Sequence, residues 1–433
     1  MKRRVVVFCG GTGAGSLIRA LSRSDAVELT ILVNCYDDGL STGKLRALIP
    51  GMLGPSDLRK NVRHSLLWEA NQPAGGRAGR AAAFDRILAY RIPDVARASE
   101  LQRRLPAILA QSGSMGELSH RQIAVLLDAV RRFLDYVVVR EDDTSLYDVS
   151  LANMFFAGLY LKHQRFNDTV RAFVGYFGID NRILNLTDGT DLKLVGLTQT
   201  NRLVADESAI SCLQPHERIL DVFLLDEYLS ESERRALESV DASEKSSYLE
   251  ARSRVPGINH EARAAISKAD LVVYWPGTQH SSLFPSYLTH GLAEAIRDSA
   301  ATRKVLVTNV LKDHDIHNET AFSLVEKFFW FMSRKSPQSF DAQGVVTDML
   351  LNYPNSDGAV GLLPLGSPSG CYRGAAMHVK GWADPYGAHD IGKVLDSLAL
   401  RTRYQSDGGQ DSGGVGTPFR CEDGHFGESS QVR

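Results

Sequence analysis

Four short stretches of this chain carry residues whose types and spacing suit chemistry, and all four suit an anion. The first is Gly10-Gly11-Thr12-Gly13-Ala14-Gly15. Glycines reach backbone conformations closed to other residues and let N–H groups close on an anion. A helix starting just behind them adds its partial positive charge. A phosphate or diphosphate is the natural guest of Gly10, Gly11, Thr12 and Gly13, with the Thr12 hydroxyl as a further donor. A tight turn without a ligand is the competing reading. The loop lacks the terminal GK[ST] of a Walker loop, and its G-x-G-x-G spacing is not the G-x-G-x-x-G of a dinucleotide fold.

The second stretch is Asp37-Asp38-Gly39-Leu40-Ser41-Thr42-Gly43-Lys44-Leu45-Arg46. Adjacent carboxylates repel unless a cation or donors lie between them. A Mg²⁺ bound through Asp37 and Asp38 and bridging phosphates satisfies both. Ser41, Thr42 and the backbone of Gly39 and Gly43 form a candidate second anion nest, and Lys44 and Arg46 can neutralise phosphate charge. Asp37 also stands where an acid grips ribose in nicotinamide enzymes, and the segment can equally be a capped turn. The third stretch is Asp57-Leu58-Arg59. Asp57 is a ligand residue or an N-cap, and Arg59 reaches a phosphate or points to solvent. The fourth is Gly277-Thr278-Gln279-His280-Ser281-Ser282, where Gly277, Thr278, Ser281 and Ser282 offer donors near a helix start. Asn153 is a ligand contact or a helix cap, and Asn309 ends a strand facing the same crevice. Asp313-His314-Asp315-Ile316-His317 has a metal-like look but fits no standard ligand spacing.

These residues need elements to position them. Residues 4–9 read as a buried strand, 16–23 as a helix with Leu17, Ile18 and Leu21 on one face, and 29–34 as a second strand. Strand, glycines, helix, strand opens a doubly wound sheet. Residues 39–55 read as a loop with a short helix and 57–68 as a helix. Helical patterns follow at 84–91, 100–110, 123–138, 150–161 and 166–176. Residues 192–197 and 201–204 suggest a hairpin, with a further strand at 218–225. Helix, strand, helix and strand at 261–268, 271–274, 288–295 and 304–308 make a second βαβ unit, and residues 377–400 close the fold. The expectation is an α/β, Rossmann-like, mainly parallel doubly wound domain over 1–403. It carries a helical insertion over about 72–146. A Gly- and Ser-rich tail over 404–433 is too poor in aliphatics to order itself.

Composition bounds the function. Of 433 residues, 43% are hydrophobic and 23% charged, as in a globular protein with a core, and the formal charge of −2 gives no basic surplus for nucleic acid. The longest apolar runs fall far short of a membrane span, and the N-terminal run is too short for a signal peptide. Five scattered cysteines with no CxxC pair argue against structural zinc and suit a reducing cytoplasm. Cys9 and Cys35 read as small buried hydrophobes.

At this point the chain resembles a known family. Gly10-Gly11-Thr12-Gly13, then Asp37 to Gly43 followed by Lys44-Leu45-Arg46, then Ser56-Asp57-Leu58-Arg59 are similar, in order, to the GGTG, DDGGS[ST]G-[RK]LR and GDLR motifs of the CofD/YvcK superfamily. Residues 84–91 with 147–161, including Ala152-Asn153, resemble its helix with a Gly-Asn pair. Residues 275–285 resemble its GPGS-x-x-[TS]S-x-x-P loop, and 305–310 with Glu319-Thr320 its last strand and Glu-Thr turn. Leu40, Ser56 and Ala152 stand for glycines and Trp275 for a small residue. The resemblance implies either of two activities. One is a Mg²⁺-dependent transferase moving a phospholactyl group from a guanosine diphosphate conjugate to a deazaflavin hydroxyl. The other is a regulator of carbon metabolism or cell-wall synthesis that binds nucleotide sugars; the 84–91 and 147–161 blocks look closer to that branch. The implied ligand lies across Gly10–Gly13, Asp37–Thr42 and Gly277–Ser282, with Asp37, Asp38, Arg46 and Arg59 as the catalytic set, and a homodimer is expected from base rate.

Overall fold

The computed structural model describes residues 2–70, 76–93, 97–111, 116–140, 145–204, 209–210, 213–214, 216–335, 344–353, 361–368 and 374–400. Ten strands are described: β1 (Arg3–Phe8), β2 (Val27–Val33), β3 (Arg182–Asn185), β4 (Lys193–Thr198), β5 (Leu203–Val204), β6 (Ile219–Leu225), β7 (Leu271–Tyr274), β8 (Arg303–Val307), β9 (Asp348–Asn352) and β10 (Ala376–Lys380). Seven form one sheet in the order β10-β9-β8-β7-β1-β2-β3, with every pairing parallel. The fold is α/β and Rossmann-like, as the sequence predicts. The central strands are continuous apolar runs because both faces are covered: Val5, Val6, Val7 and Phe8 of β1 and all of β7 are buried.

The topology creates the site. From β1 the chain winds outward through β2 to β3, then returns to place β7 on the other side of β1 and winds outward through β8 and β9 to β10. The order therefore reverses between β1 and β7, and ligands of open parallel sheets bind at such a reversal, beyond the carboxyl ends of the strands. In register, Val7 stands beside Val273 and Phe8 beside Tyr274, so the loops after these strands leave the sheet side by side. The predicted hairpin is present, but it belongs to a second, antiparallel sheet of order β5-β4-β6. That sheet has its own small core around Val195, Phe223 and Leu225.

The helices before β3 are α1 (Gly15–Ser22), α2 (Leu40–Leu48), α3 (Ser56–Ala70), α4 (Gly76–Ala89), α5 (Ala98–Gln111), α6 (His120–Val139), α7 (Leu151–His163) and α8 (Phe166–Phe177). The short helix expected within residues 39–55 is α2, and Ser41 and Thr42 stand in its first turn. Strands β3, β9 and β10 are not expected from sequence, nor is the helix Ala321–Met332. That helix is apolar almost all round, which erases the 3.6-residue signal. The tail at 404–433 and parts of the 72–146 segment lie outside the described residues. No helix among the described residues is long and apolar enough to cross a membrane.

Helix α7 is buried from Leu151 to Tyr160, enclosed by α2, α3, α4, α6 and α8. Its approach to α6 is backbone to backbone: a Cβ on Gly158 would stand 1.7 Å from the carbonyl oxygen of Ala129. Gly158→Ala must push the two helices apart. It should lower the unfolding free energy by about 2 kcal/mol, read from a urea denaturation curve; an unchanged midpoint would refute the close approach.

Candidate functional site

The two predicted phosphate loops meet at the β1–β7 reversal. After β1, Gly10 and Gly11 run into a single 3-10 turn at Thr12–Ala14 and then α1. Thr12 and Gly13 are exposed at its tip. After β7 the chain passes Trp275-Pro276-Gly277-Thr278 into a π-helical turn, Gln279–Leu283. The Trp275 indole N–H donates to the carbonyl of Gly13 at 3.0 Å, which ties one loop to the other. A Cβ on Gly277 would lie 3.7 Å from the nitrogen of Gly10, and one on Gly10 would lie 3.2 Å from the Cβ of Ser282. Asn309, just beyond β8, joins the cluster: its amide donates to the Gly277 carbonyl at 3.1 Å, and its oxygen accepts from Gln279 at 2.6 Å.

Asp57, in the first turn of α3, links both loops. It accepts from the Ser282 hydroxyl at 3.0 Å and from the Lys60 ammonium at 3.3 Å. Asn61, one turn on, donates to the carbonyls of Gly10 at 2.9 Å and of Asp57 at 2.8 Å. Burial pushes the Asp57 carboxyl above its usual range, the charge of Lys60 opposes this, and the charge of Asp37 adds to it. Asp37 and Asp57 thus sense one another across the crevice.

The paired aspartates are held by backbone packing. Gly54 leaves no room for a side chain, since its Cβ would fall 2.1 Å from the Asp37 carbonyl oxygen; Gly43 stands in the same relation to Asp38. Asp37 accepts from the Gly39 N–H at 2.9 Å. Asp38 accepts from the Tyr228 hydroxyl at 2.8 Å, and Lys193 sits over the Tyr228 ring at 5.2 Å. Burial and then the charge of Asp38 push the Tyr228 phenol up, so it stays a donor. Tyr228 follows β6, and thus the small sheet reaches the site.

Arg46 and Arg59 are both engaged by backbone carbonyls. The Arg46 side chain is fully enclosed. It donates to the carbonyls of Tyr36 at 2.7 Å and Asp37 at 3.3 Å, to Leu192 at 2.6 Å and to Asp191 at 2.9 Å. It is a clamp on the segment carrying Asp37. Arg59 donates to the Leu88 carbonyl at 2.8 Å, joining α3 to α4. Burial, followed by the like charges of Arg91 and Arg63, lowers its pKa to about 10. Lys44 reaches the Tyr147 carbonyl at 3.1 Å. Thr42 meets the Ser56 hydroxyl at 2.5 Å, and Ser41 is buried in α2. Asn153, in the first turn of α7, is fully buried, and its amide oxygen and nitrogen have no hydrogen-bond partner among the described residues; the same holds for the Ser281 hydroxyl. Asp315 is buried behind the second loop, where it accepts from the His280 N–H at 2.7 Å. No set of three metal-ligating side chains gathers among the described residues. Cys9 and Cys35 are free and buried, and burial followed by the charge of Asp57 pushes both thiols up, which makes them poor nucleophiles.

The residues that sequence reasoning overlooks are Lys60, Asn61, Tyr228 and Asp191. Lys60 and Asn61 directly follow the third motif, one and two residues beyond Arg59. Tyr228 and Asp191 carry no local signal, because they arrive from the antiparallel sheet and the turn before it.

The family model described as 2-phospho-L-lactate transferase CofD matches residues 5–355. A gluconeogenesis factor from Halalkalibacterium halodurans is 24% identical over 312 residues, covering 72% of this chain and 67% of the relative. Two solved structures from Bacillus halodurans, one described as a member of the UPF0052 family, superpose with TM-scores of 0.59 and 0.57. Each is 20% identical and covers 92% of this chain and 100% of its own; they share the fold.

His389 packs against Trp275 with ring centres 4.9 Å apart and donates to the Thr308 carbonyl at 2.9 Å. Burial holds its pKa down to about 4, against the opposing pull of the Thr308 bond and of Asp384. Between pH 6.5 and about 4 the unfolded chain takes up this proton and the folded chain does not. Its contribution to stability is therefore complete above the unfolded pKa and is lost as pH falls through that window, by on the order of 3 kcal/mol. Urea curves at pH 7 and pH 4.5 should show His389→Gln losing less stability on acidification than the parent; equal losses would overturn the assignment.

Proposed function

The chain belongs to the CofD family, and from that premise we propose that it binds a nucleoside diphosphate conjugate and passes a phosphate-linked group to a hydroxyl acceptor, in the manner of a 2-phospho-L-lactate transferase. The observation that carries this reading is the junction of the two glycine loops at the β1–β7 reversal, where Trp275 bonds Gly13 and Asp57 bonds Ser282. Backbone N–H groups of Gly10, Gly11 and Gly13, the Thr12 hydroxyl and the start of α1 would hold one phosphate. Gly277, Thr278, Ser281 and Ser282 would hold the other, and the unpartnered Ser281 hydroxyl is a donor for it. Asn309 keeps the second loop in shape.

Asp37 and Asp38 suit a hard cation. Both are carboxylates after the strand end, with Asp37 accepting from Gly39 and Asp38 from Tyr228, an oxygen donor set that fits Mg²⁺ bound jointly with phosphate. Mg²⁺ there would neutralise charge as the P–O–P bond of the diphosphate breaks, the nucleoside monophosphate leaving and the phosphate-linked group passing to the acceptor hydroxyl, whose proton goes to solvent. The chain's own part is positioning and fixed electrostatics. Arg46 holds the Asp37 carbonyl, Tyr228 fixes the Asp38 carboxylate, and Arg59 anchors α3 so that Asp57 meets both loops.

A second reading has a specific observation behind it. The Halalkalibacterium relative is named a gluconeogenesis factor, which favours a regulator that binds a nucleotide sugar at this same site without turnover. A nicotinamide oxidoreductase finds less support, because the glycine spacing does not match. Either favoured reading suits a cytoplasmic protein with reduced Cys9 and Cys35, acting alone or as a homodimer.

Thermal unfolding with GDP, UDP-sugars and NAD, each with and without Mg²⁺, tests the proposal. A nucleoside diphosphate or UDP-sugar at about a hundredfold its Kd should stabilise the chain by about 2.7 kcal/mol, and Asp38→Asn should weaken that response in Mg²⁺. Stabilisation by NAD alone would sink it. Turnover of a guanosine diphosphate lactyl conjugate with a deazaflavin acceptor separates the transferase from the regulator.

A further inference from the structure

Lys60 stands in an unusual place for a helix-surface lysine. Its side chain is 34% exposed, whereas its partner Asp57, three residues earlier on α3, is 4% exposed. An i,i+3 pair that only decorates a helix lies in solvent and contributes little. Here the pair folds back over a different element. A Cβ on Gly11 would fall 2.3 Å from Lys60 Cδ, 2.4 Å from the Asp57 carboxylate and 2.9 Å from the Lys60 ammonium. The lysine stem thus lies directly on the outer face of the first glycine loop, next to exposed Thr12 and Gly13. Only glycine at position 11 leaves it that room.

The surroundings point the same way. Asp57 carries a hydrogen bond from Ser282 of the second loop, so the ammonium sits where the two loops meet. An ammonium is a multiple donor, and Lys60 bonds Asp57 through it. The buried carboxylate anchors the lysine without removing its charge from the crevice mouth. The S-D-L-R motif ends at Arg59. Of the two arginines that motif reading places on the phosphate, Arg46 is enclosed among backbone carbonyls and Arg59 donates to the Leu88 carbonyl, while the Lys60 ammonium lies beside Gly11.

We infer that Lys60 is a phosphate-binding residue of this chain, donating through its ammonium to the phosphate seated on Gly11, Thr12 and Gly13, with Asp57 as the residue that positions it. This rests on the diphosphate reading of the site and names the side chain that contacts the anion there. It also assigns Gly11 a reason beyond backbone freedom: the absent side chain is the channel for the lysine.

The test is titration calorimetry of the full chain with inorganic pyrophosphate and with GDP, in Mg²⁺ and in EDTA, for the parent, Lys60→Met and Lys60→Arg. A hydrogen bond to a charged group is worth about 1.5–3 kcal/mol, so Lys60→Met should weaken both probes roughly 10- to 100-fold. Lys60→Arg should restore most of the affinity. Circular dichroism and an unchanged melting temperature establish that the variants fold; if Lys60→Met does not, Lys60→Gln takes its place. Parent binding with Lys60→Met unchanged in both buffers overturns the role of Lys60 and leaves the diphosphate reading standing. A parent chain that binds neither probe in either buffer overturns both.

Discussion

Two crossovers that leave neighbouring parallel strands in opposite directions cannot cover the same ground, and the gap between them is the constraint on which this molecule depends. The chain leaves β1 toward β2 and leaves β7 toward β8, so the helices that follow each strand diverge. What remains between them is loop, and loop at a strand end presents unpaired N–H groups. The crowding there dictates composition. Gly11 makes way for Lys60 and Asp57, while Gly43 and Gly54 make way for the carbonyls of Asp38 and Asp37. Glycine is needed at these three positions for close approach rather than for positive φ, since none of them adopts it.

Burying charge around such a gap is costly unless the charges are paired and hydrogen-bonded, and the chain meets that condition in two networks. Arg46 satisfies three carbonyls and Asp191 at once. Behind the second loop, Lys327 donates to Glu319 at 2.5 Å and lies 2.9 Å from His280, and Arg218 grips both oxygens of Glu319. Lys327 also donates to the Ile219 carbonyl of β6. The small antiparallel sheet is therefore bound to the site twice, through Tyr228 on Asp38 and through this network on the loop of His280. Glu319 stays ionised because Lys327 and Arg218 outweigh the cost of its burial and lower its pKa to about 2. Burial leaves His280 neutral.

The parts of this fold legible in sequence are those where local pattern and tertiary setting agree. β1, its glycines, α1 and β2 read directly, because a strand covered on both faces must be a continuous apolar run. The late βαβ unit reads for the same reason. β10 does not: Ala376, Met377, Val379 and Lys380 are exposed at a sheet edge, so no burial pattern is imposed on it. Among site residues, backbone donors and strand-end carboxylates are legible because topology alone places them. The orientation of a long side chain is not. Arg46 and Arg59 look like phosphate ligands in a list of residues, yet carbonyls 9 to 146 positions away in the chain claim Arg46. Nothing adjacent to Tyr228 in the sequence foretells its bond to Asp38.

The departures from the family pattern also gain a physical reading once their neighbours are known. Trp275 replaces a small residue, yet its indole N–H finds the Gly13 carbonyl and its ring finds His389. A buried indole without a partner would be destabilising; this one staples the first loop to the second. Ser56 replaces a glycine at the start of α3, and its hydroxyl meets Thr42 of α2, joining the helix of the paired aspartates to the helix of Asp57. Ala152 adds one methyl to the enclosed first turn of α7, next to Asn153. Each change puts a side chain where the pattern has a hydrogen atom or little more, and the two polar ones gain a bond to another element, Trp275 to the first glycine loop and Ser56 to α2. A crevice braced in this way is pre-organised: less ordering remains to be done when an anion arrives. The substitutions therefore act on the stiffness of the site rather than on its donors, since the N–H groups of Gly10, Gly11, Gly13 and Gly277 are the same in either case.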